Sequence, residues 1–390
     1  MIHVHQARQR LMEPVCRLPA EQVPLLHALG RYTAMPVAVP YDHPLFACSA
    51  MDGYAFAFAD GVHEWTVVAE LAAGDAPGAP LAKGECARIF TGAMLPAGAD
   101  TVVMQELVQR TGKVIGHSDA KLRRGSNVRA RGDQLRAGDT ALGKGALVDA
   151  GAIGLLASVG VQALSVGSLP RVGLLISGNE FAGEGEPAPG KIFGSNGVML
   201  QAALREAGVE ASVKEVRDEH DALLAAWREL AAGNDLVLST GGVSVGDHDL
   251  IPAVLRDLGA AIHFHGVLQK PGKPMLFGQL GHASLFGLPG NPRAVMVLFL
   301  EYVLPFLRAM QGAAEPWLRS DRLPISGAVK VKGVRAEFRA ARVKHGQVEL
   351  LADEGSHMLR SMVEADALAY IPAEVRQLEQ GDLVEVHYLK

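Results

Sequence analysis

Cysteine is scarce. Cys16, Cys48 and Cys86 are the three in 390 residues, and they are too far apart for a zinc-ligand spacing or a disulfide framework. A reducing, cytoplasmic setting is therefore expected. Net positive charge is also missing: the formal charge is −5, which argues against a protein that grips nucleic acid or a membrane surface by bulk charge. Any anion site must be local. No run is long and apolar enough to span a bilayer, since the longest, 294–307, contains Glu301 and Pro305. The opening residues MIHVHQARQRLMEP lack the apolar run and cleavage site of a signal peptide. What is present is 49% apolar residues, enough for sizeable cores in a chain of roughly two to four domains.

Residues 1–30 read as helical. Val4, Ala7, Leu11 and Met12 recur at helical spacing, and a second short helix is expected to end at Gly30. His3, His5 and His27 have no acidic or sulfur ligand arranged with them, so they read as ordinary histidines. From Tyr32 the chain becomes extended. Asp52-Gly53 is either a hairpin tip or a carboxylate presented on a rigid turn. Short runs between residues 64 and 118, punctuated by Gly and Pro, predict a small β domain. A loop beginning at Thr91 and ending at Pro96 joins two of them. Lys121, Arg123, Arg124, Arg129, Arg131 and Arg136 stand against Asp133 alone, as a solvated face or an anion-facing rim. A helix over 150–159 follows.

Residues 170–312 alternate strand and helix, which predicts a doubly wound parallel α/β domain. Its central strand, 236–238, breaks into Ser239-Thr240-Gly241-Gly242, where backbone N–H groups can converge on an oxyanion. Asp247 and Asp249 follow, and Asp249 is placed to cap the next helix. Other strand ends carry Ser177-Gly178-Asn179-Glu180, Arg217-Asp218 and Pro289-Gly290-Asn291-Pro292. Pro292 suits the first position of a long helix that Pro305 should kink. Lys270-Pro271-Gly272-Lys273-Pro274 holds two lysines on a stiff loop, and lysine is a compact charge suited to phosphate. Three such loops in one α/β domain point to an anionic, phosphorylated ligand. From residue 315 five predicted strands make a small barrel or sandwich. Ser356, His357 and Ser361 are expected in a loop there, facing solvent or the cleft.

The order of motifs resembles the MoeA-type molybdopterin molybdenumtransferases, to which gephyrin's E domain also belongs. The motifs are SAMDGYA (49–55), TGAMLPAGAD (91–100), VVMQE (102–106), RARGD (129–133), SGNE (177–180), STGGVSVGDHD (239–249), KPGKP (270–274), LPGNP (288–292) and GSH (355–357). The resemblance covers essentially the whole chain. It implies an elongated homodimer of four-domain subunits. Residues 1–40 with 136–168 would be an elongated mixed linker and dimerisation domain, and 41–135 a mainly β lid. Residues 169–313 would be the α/β molybdopterin-binding domain, and 314–390 a C-terminal small β-barrel.

It also implies an activity. Adenylylated molybdopterin and molybdate would become molybdenum cofactor with release of AMP, assisted by Mg²⁺. The cleft would lie between the α/β domain of one subunit and the SAMDGYA-bearing domain of the other. Asp52, Glu180, Asp218 and Asp249 match the family's catalytic carboxylates, with Asp52, Glu180 and Asp249 as metal ligands. Thr91, Ser239, Gly241, Gly242, Ser244, Lys270, Lys273, Pro289, Gly290, Asn291, Pro292 and Ser361 match the substrate-binding positions. The molybdopterin adenylyltransferase and acceptor molybdoenzymes are the implied partners. Molybdate is itself an anion, so carboxylates must act through the cation, which prefers oxygen ligands. The sequence departs from the family at Ala47, Gln134, Asn179, Gly194 and Gly266, each of which removes a usual charge. Those losses leave an alternative: a diverged paralogue that carries molybdopterin, scaffolds or uses tungstate. A phosphate-using enzyme of another kind is the reading if only the fold is shared.

Overall fold

Every residue of the strand Leu236–Thr240 is buried, because it runs inside a six-stranded sheet with neighbours on both sides. The protein is described by a computed structural model covering all residues except 60, 182–185, 187, 244–248, 332, 353–354, 356 and 390. Ser244, Asp247 and Ser356 therefore lie outside the described residues. The sheet order is Ala211–Val216, Val172–Ser177, Leu236–Thr240, Ala283–Leu288, Leu276–Leu280, Ala261–His265. The first four strands are parallel, as the sequence predicts. The last two are antiparallel. The reason is local: only Gly281 and His282 separate the paired Leu280 and Ala283, and two residues make a hairpin but never a crossover.

Helices pack on both faces. Asn196–Glu206 lies in one apolar cluster with Phe277, Phe286 and Phe306, while His220–Gly233 and Ile251–Asp257 share another. The expected long helix runs Pro292–Leu298, takes a π turn over Phe299–Val303 and resumes at Leu304–Met310. Pro305 has no N–H to give the Glu301 carbonyl, so the helical ladder is interrupted there.

The first thirty residues differ from expectation. Helix Val4–Met12 forms, but it buries Val4, Ala7 and Leu11 in the α/β core. Ala20–Pro24 is then a strand paired with Ala163–Gly167, followed by a 3₁₀ turn at Leu25–Ala28. Strands from residues 37–38 and 140–142 also pair, and Ala28, Val148, Leu156 and Val166 share a core. Distant stretches of the chain thus form one unit.

Residues 53–117 contribute a six-stranded sheet ordered Thr101–Met104, Gly53–Phe56, Glu85–Ile89, Glu64–Leu71, Val114–His117, Val108–Thr111. Gly53 opens one of its strands, where a Cβ would lie 1.9 Å from the Val103 carbonyl oxygen, so a side chain there is excluded. The C-terminal sheet pairs Ser320–Pro324, Leu383–Tyr388, Ala367–Ile371 and Ala336–Lys344, with Gln347–Leu350 on the last. An isolated bridge joins Ile325 to Val348. Gln269-Lys270, at the base of the lysine loop, adds a parallel pair to Ala336-Glu337. The α/β domain and the C-terminal sheet are therefore stitched together beside the predicted anion site.

Candidate functional site

Open α/β sheets receive ligands beyond the carboxyl ends of their parallel strands. Ser177, Ser239 and Thr240 are buried at those ends. Gly241 and Gly242 follow with φ of +88° and +62°, values that L side chains rarely adopt. The Gly241 N–H donates to the Leu288 carbonyl at 2.9 Å, which joins the glycine cradle to the Pro289-Gly290-Asn291-Pro292 turn. Asn196 Nδ2 donates to the Gly290 carbonyl at 2.8 Å and steadies that turn from below. Ser177 Oγ, Ser239 Oγ and Asn196 Oδ1 are buried without a hydrogen-bond partner among the described residues. Two of these atoms lie at neighbouring strand ends and the third at the start of helix Asn196–Glu206, and buried polar atoms rarely stay unpaired.

A cavity of about 530 Å³ opens beside the 289–292 turn. Lys270, Gly272, Lys273, Pro289, Asn291 and Arg335 are among its walls. Two predicted loops thus meet, and Arg335 joins them from the C-terminal sheet. Lys270 Nζ stands 4.0 Å from Glu337, whose carboxylate also takes Arg339 Nη2 at 2.6 Å. A larger cavity of about 960 Å³, between Arg8, Arg308 and Trp317, contains none of the predicted site residues.

Beside the six-stranded sheet of residues 53–117, Asp52 Oδ1 accepts from the Thr91 N–H and the Thr91 hydroxyl, each at 2.8 Å. The Thr91 amide, then its hydroxyl, hold the Asp52 carboxyl below its ordinary value, and the Arg88 charge adds to this. Arg88 is held over the Tyr54 and Phe90 rings at 5.1 and 4.9 Å. The basic stretch is partly paired: Arg131 binds Asp42 and Arg124 binds Asp100.

The remaining predicted residues fall as follows. Glu180 is exposed, and its Oε2 lies 2.6 Å from where a Gly178 Cβ would sit. Asp218 is half-buried past the adjacent strand end. Asp249 does not cap the next helix, whose N-cap is Leu250 with no side-chain cap bond. Ser361 is buried on the short helix Arg360–Glu364, and its Oγ has no partner among the described residues. Its loop assignment fails because the segment takes a helical turn, across which Arg360 pairs with Glu364 at 3.0 Å. His357 is exposed.

Among the described residues no group of three or more His, Cys, Asp or Glu side chains could hold a metal ion, so Asp52, Glu180 and Asp249 do not gather in one chain. Sequence reasoning left out Arg335, Arg88 and Gln269, which sit outside any glycine or proline motif. Asn196 was visible only as a motif position.

Three family models match in order: "MoeA N-terminal region (domain I and II)" over residues 2–160, "Probable molybdopterin binding domain" over 173–309, and "MoeA C-terminal region (domain IV)" over 322–389. A molybdopterin molybdenumtransferase of Nostoc sp. is 38% identical over 376 residues, covering 90% of this chain and 85% of that protein. One from Bacillus subtilis is 31% identical over 401 residues, covering 99% and 93%. The crystal structure of a molybdopterin biosynthesis moeA protein from Pyrococcus horikoshii OT3 is similar along 100% of both chains, with a TM-score of 0.85 at 25% identity.

Proposed function

Because this chain belongs to the MoeA-type molybdopterin molybdenumtransferase family, we propose that it is a transferase of molybdenum cofactor biosynthesis which inserts molybdenum from molybdate into adenylylated molybdopterin, with Mg²⁺-dependent release of AMP. The observation that carries this reading is the cationic cavity between the lysine loop, the 289–292 turn and Arg335. Lys270, Lys273 and Arg335 supply positive charge for an oxyanion, and Arg335 adds a planar fork of donors. Ser177 and Ser239 carry hydroxyls, and Asn196 Oδ1 is an acceptor suited to a pterin N–H. Gly241 and Gly242 let the backbone approach closely.

The donor chemistry fits Mg²⁺. This cation takes one or two carboxylates and completes its shell with water and substrate phosphates, so it needs no cluster of three. Glu180 is exposed at the strand end, and Asp52, Asp218 and Asp249 are half-buried. Glu180 and Asp249 from the α/β domain, with Asp52 from a lid, would hold it. When bound, it offsets charge on the phosphoryl oxygens as the P–O bond breaks.

Asp52 and Thr91 make no hydrogen bond or ion pair to the α/β strand ends within the chain, among the described residues. The family reading includes an elongated homodimer, in which the lid of one protomer covers the cavity of its partner. The four-domain division given above, a closed C-terminal barrel and a cytoplasmic location belong to the same reading. No helix among the described residues is long and apolar enough to cross a membrane. The substrate would come from the molybdopterin adenylyltransferase, and acceptor molybdoenzymes would receive the product.

The test is AMP release. Purified protein with adenylylated molybdopterin and Mg²⁺ should release AMP when molybdate is added, and little without either ion. Substrate binding with no release under any oxyanion would sink the insertase and favour a carrier. Release with tungstate alone would change the metal transferred.

A further inference from the structure

The lysine loop and Arg335 flank one edge pairing of the C-terminal sheet, Gln269-Lys270 with Ala336-Glu337, and they share one cavity. Gln269 touches both. It is fully buried, and its backbone pairs with Ala336 at the edge of the C-terminal sheet. Its carbonyl accepts from Arg335 Nη1 at 3.4 Å. Its side-chain Nε2 donates to the Pro271 carbonyl inside the lysine loop at 2.9 Å. Its Oε1 accepts the hydroxyl of Tyr302, which is itself fully buried on the π turn. An apolar residue would fill this site without the desolvation cost of an amide, so the amide's use is orientation.

We propose that Gln269, held by Tyr302, is a positioning residue that sets the spacing between the lysine loop and Arg335 and so tunes the cavity for its oxyanion. The inference rests on the molybdate reading above. Rotation of the Gln269 amide would release Pro271, and Lys270 and Lys273 would move with their loop. The Tyr302 hydroxyl prevents that rotation. Neither residue lines the cavity.

Three variants test this: Tyr302→Phe, Gln269→Met and the pair together. In Tyr302→Phe the Gln269 oxygen is left buried and unpaired, so thermal stability falls. The KM for molybdate should rise about ten-fold, because small misplacements of positioned groups are costly, while kcat changes less than about three-fold. Molybdate retention in equilibrium dialysis should weaken in step. The double variant removes the unpaired Gln269 oxygen but leaves the Pro271 carbonyl without its donor, so stability should recover part of the way toward wild type. Its molybdate KM should remain raised. If KM recovers together with stability, the pair is merely structural and the proposal is overturned. A normal KM in Tyr302→Phe and Gln269→Met overturns it too. Wild-type protein with no molybdate-dependent AMP release would instead overturn the insertase reading, and this inference with it.

Discussion

Thr91 gives both its amide N–H and its hydroxyl to a single oxygen of Asp52, each at 2.8 Å. Two donors on one oxygen leave the other, Oδ2, free of both. The carboxylate is thereby fixed in orientation and kept ionised. Removing one donor with Thr91→Val should cost roughly 10- to 100-fold in Mg²⁺-dependent AMP release, the range seen when the partner of a metal-binding group is lost. Asp52→Asn should cost at least as much. Both proteins should lose far less in melting temperature than in activity, because Thr91 is exposed and Asp52 only half-buried. A melting temperature that falls with the activity would make the pair a fold element.

The cationic walls should show themselves through salt. Lys273 is exposed and Lys270 half-buried, so their field reaches the cavity through partly screened space. Lys273→Gln and Arg335→Gln should each raise the molybdate KM several-fold, roughly 1 kcal/mol apiece, as for single charge-assisted contacts. Each should also flatten the rise of KM with ionic strength. A salt dependence identical to wild type would remove that residue from the oxyanion site.

Glycine substitutions should split by backbone conformation. Gly241 has φ +88°, and a Cβ there would come within 3.3 Å of the Ser177 carbonyl oxygen. Gly241→Ala should lower unfolding stability by about 1–2 kcal/mol and abolish turnover. Gly154 lies exposed within helix Ala150–Ser158, with nothing near its Cβ direction. Gly154→Ala should raise stability by about 0.5–1 kcal/mol without touching turnover. Urea unfolding reads both, and equal effects would defeat the conformational argument.

His387 should make stability depend on pH. Its Nδ1 faces Glu301 at 2.8 Å and its Nε2 faces Glu385 at 3.0 Å, with Arg8 Nη2 at 3.5 Å from Nδ1. Burial disfavours the imidazolium, but the hydrogen bonds and charge of the two carboxylates outweigh it, and the net shift is upward. A histidine raised on folding stabilises fully below its unfolded value, about 6.5, and loses that contribution as pH climbs through the folded value. The melting-temperature gap between wild type and His387→Gln should therefore be widest at acidic pH and close on the alkaline side. A gap that widens with pH would contradict the pairing.

Much of this was legible in residue order. The strand–helix alternation after residue 170 and the stops at Gly160 and Gly208 follow from periodicity and backbone freedom, and they hold in the structure. The Ser239–Gly242 break, the lysine loop and the Pro289–Pro292 turn were visible because glycine and proline punctuate a chain by their own φ limits. The hairpin at Gly281 was missed, because two residues between apolar runs look like an ordinary strand end. The strand at Ala20–Pro24 was missed because its partner lies at 163–167, and pairing at that distance leaves no local pattern.

The sequence by itself determined the family and the loops that carry anion-binding chemistry, since those depend on residue type and short spacing. Tertiary structure alone decided which of those residues share a cavity. It brought Arg335 to the lysine loop through the parallel pairing of Gln269-Lys270 with Ala336-Glu337. It also kept Asp52, Glu180 and Asp249 from clustering within a single chain. Contacts between distant segments are set by packing of whole sheets and helices, and that information is spread over the entire core rather than written at the site.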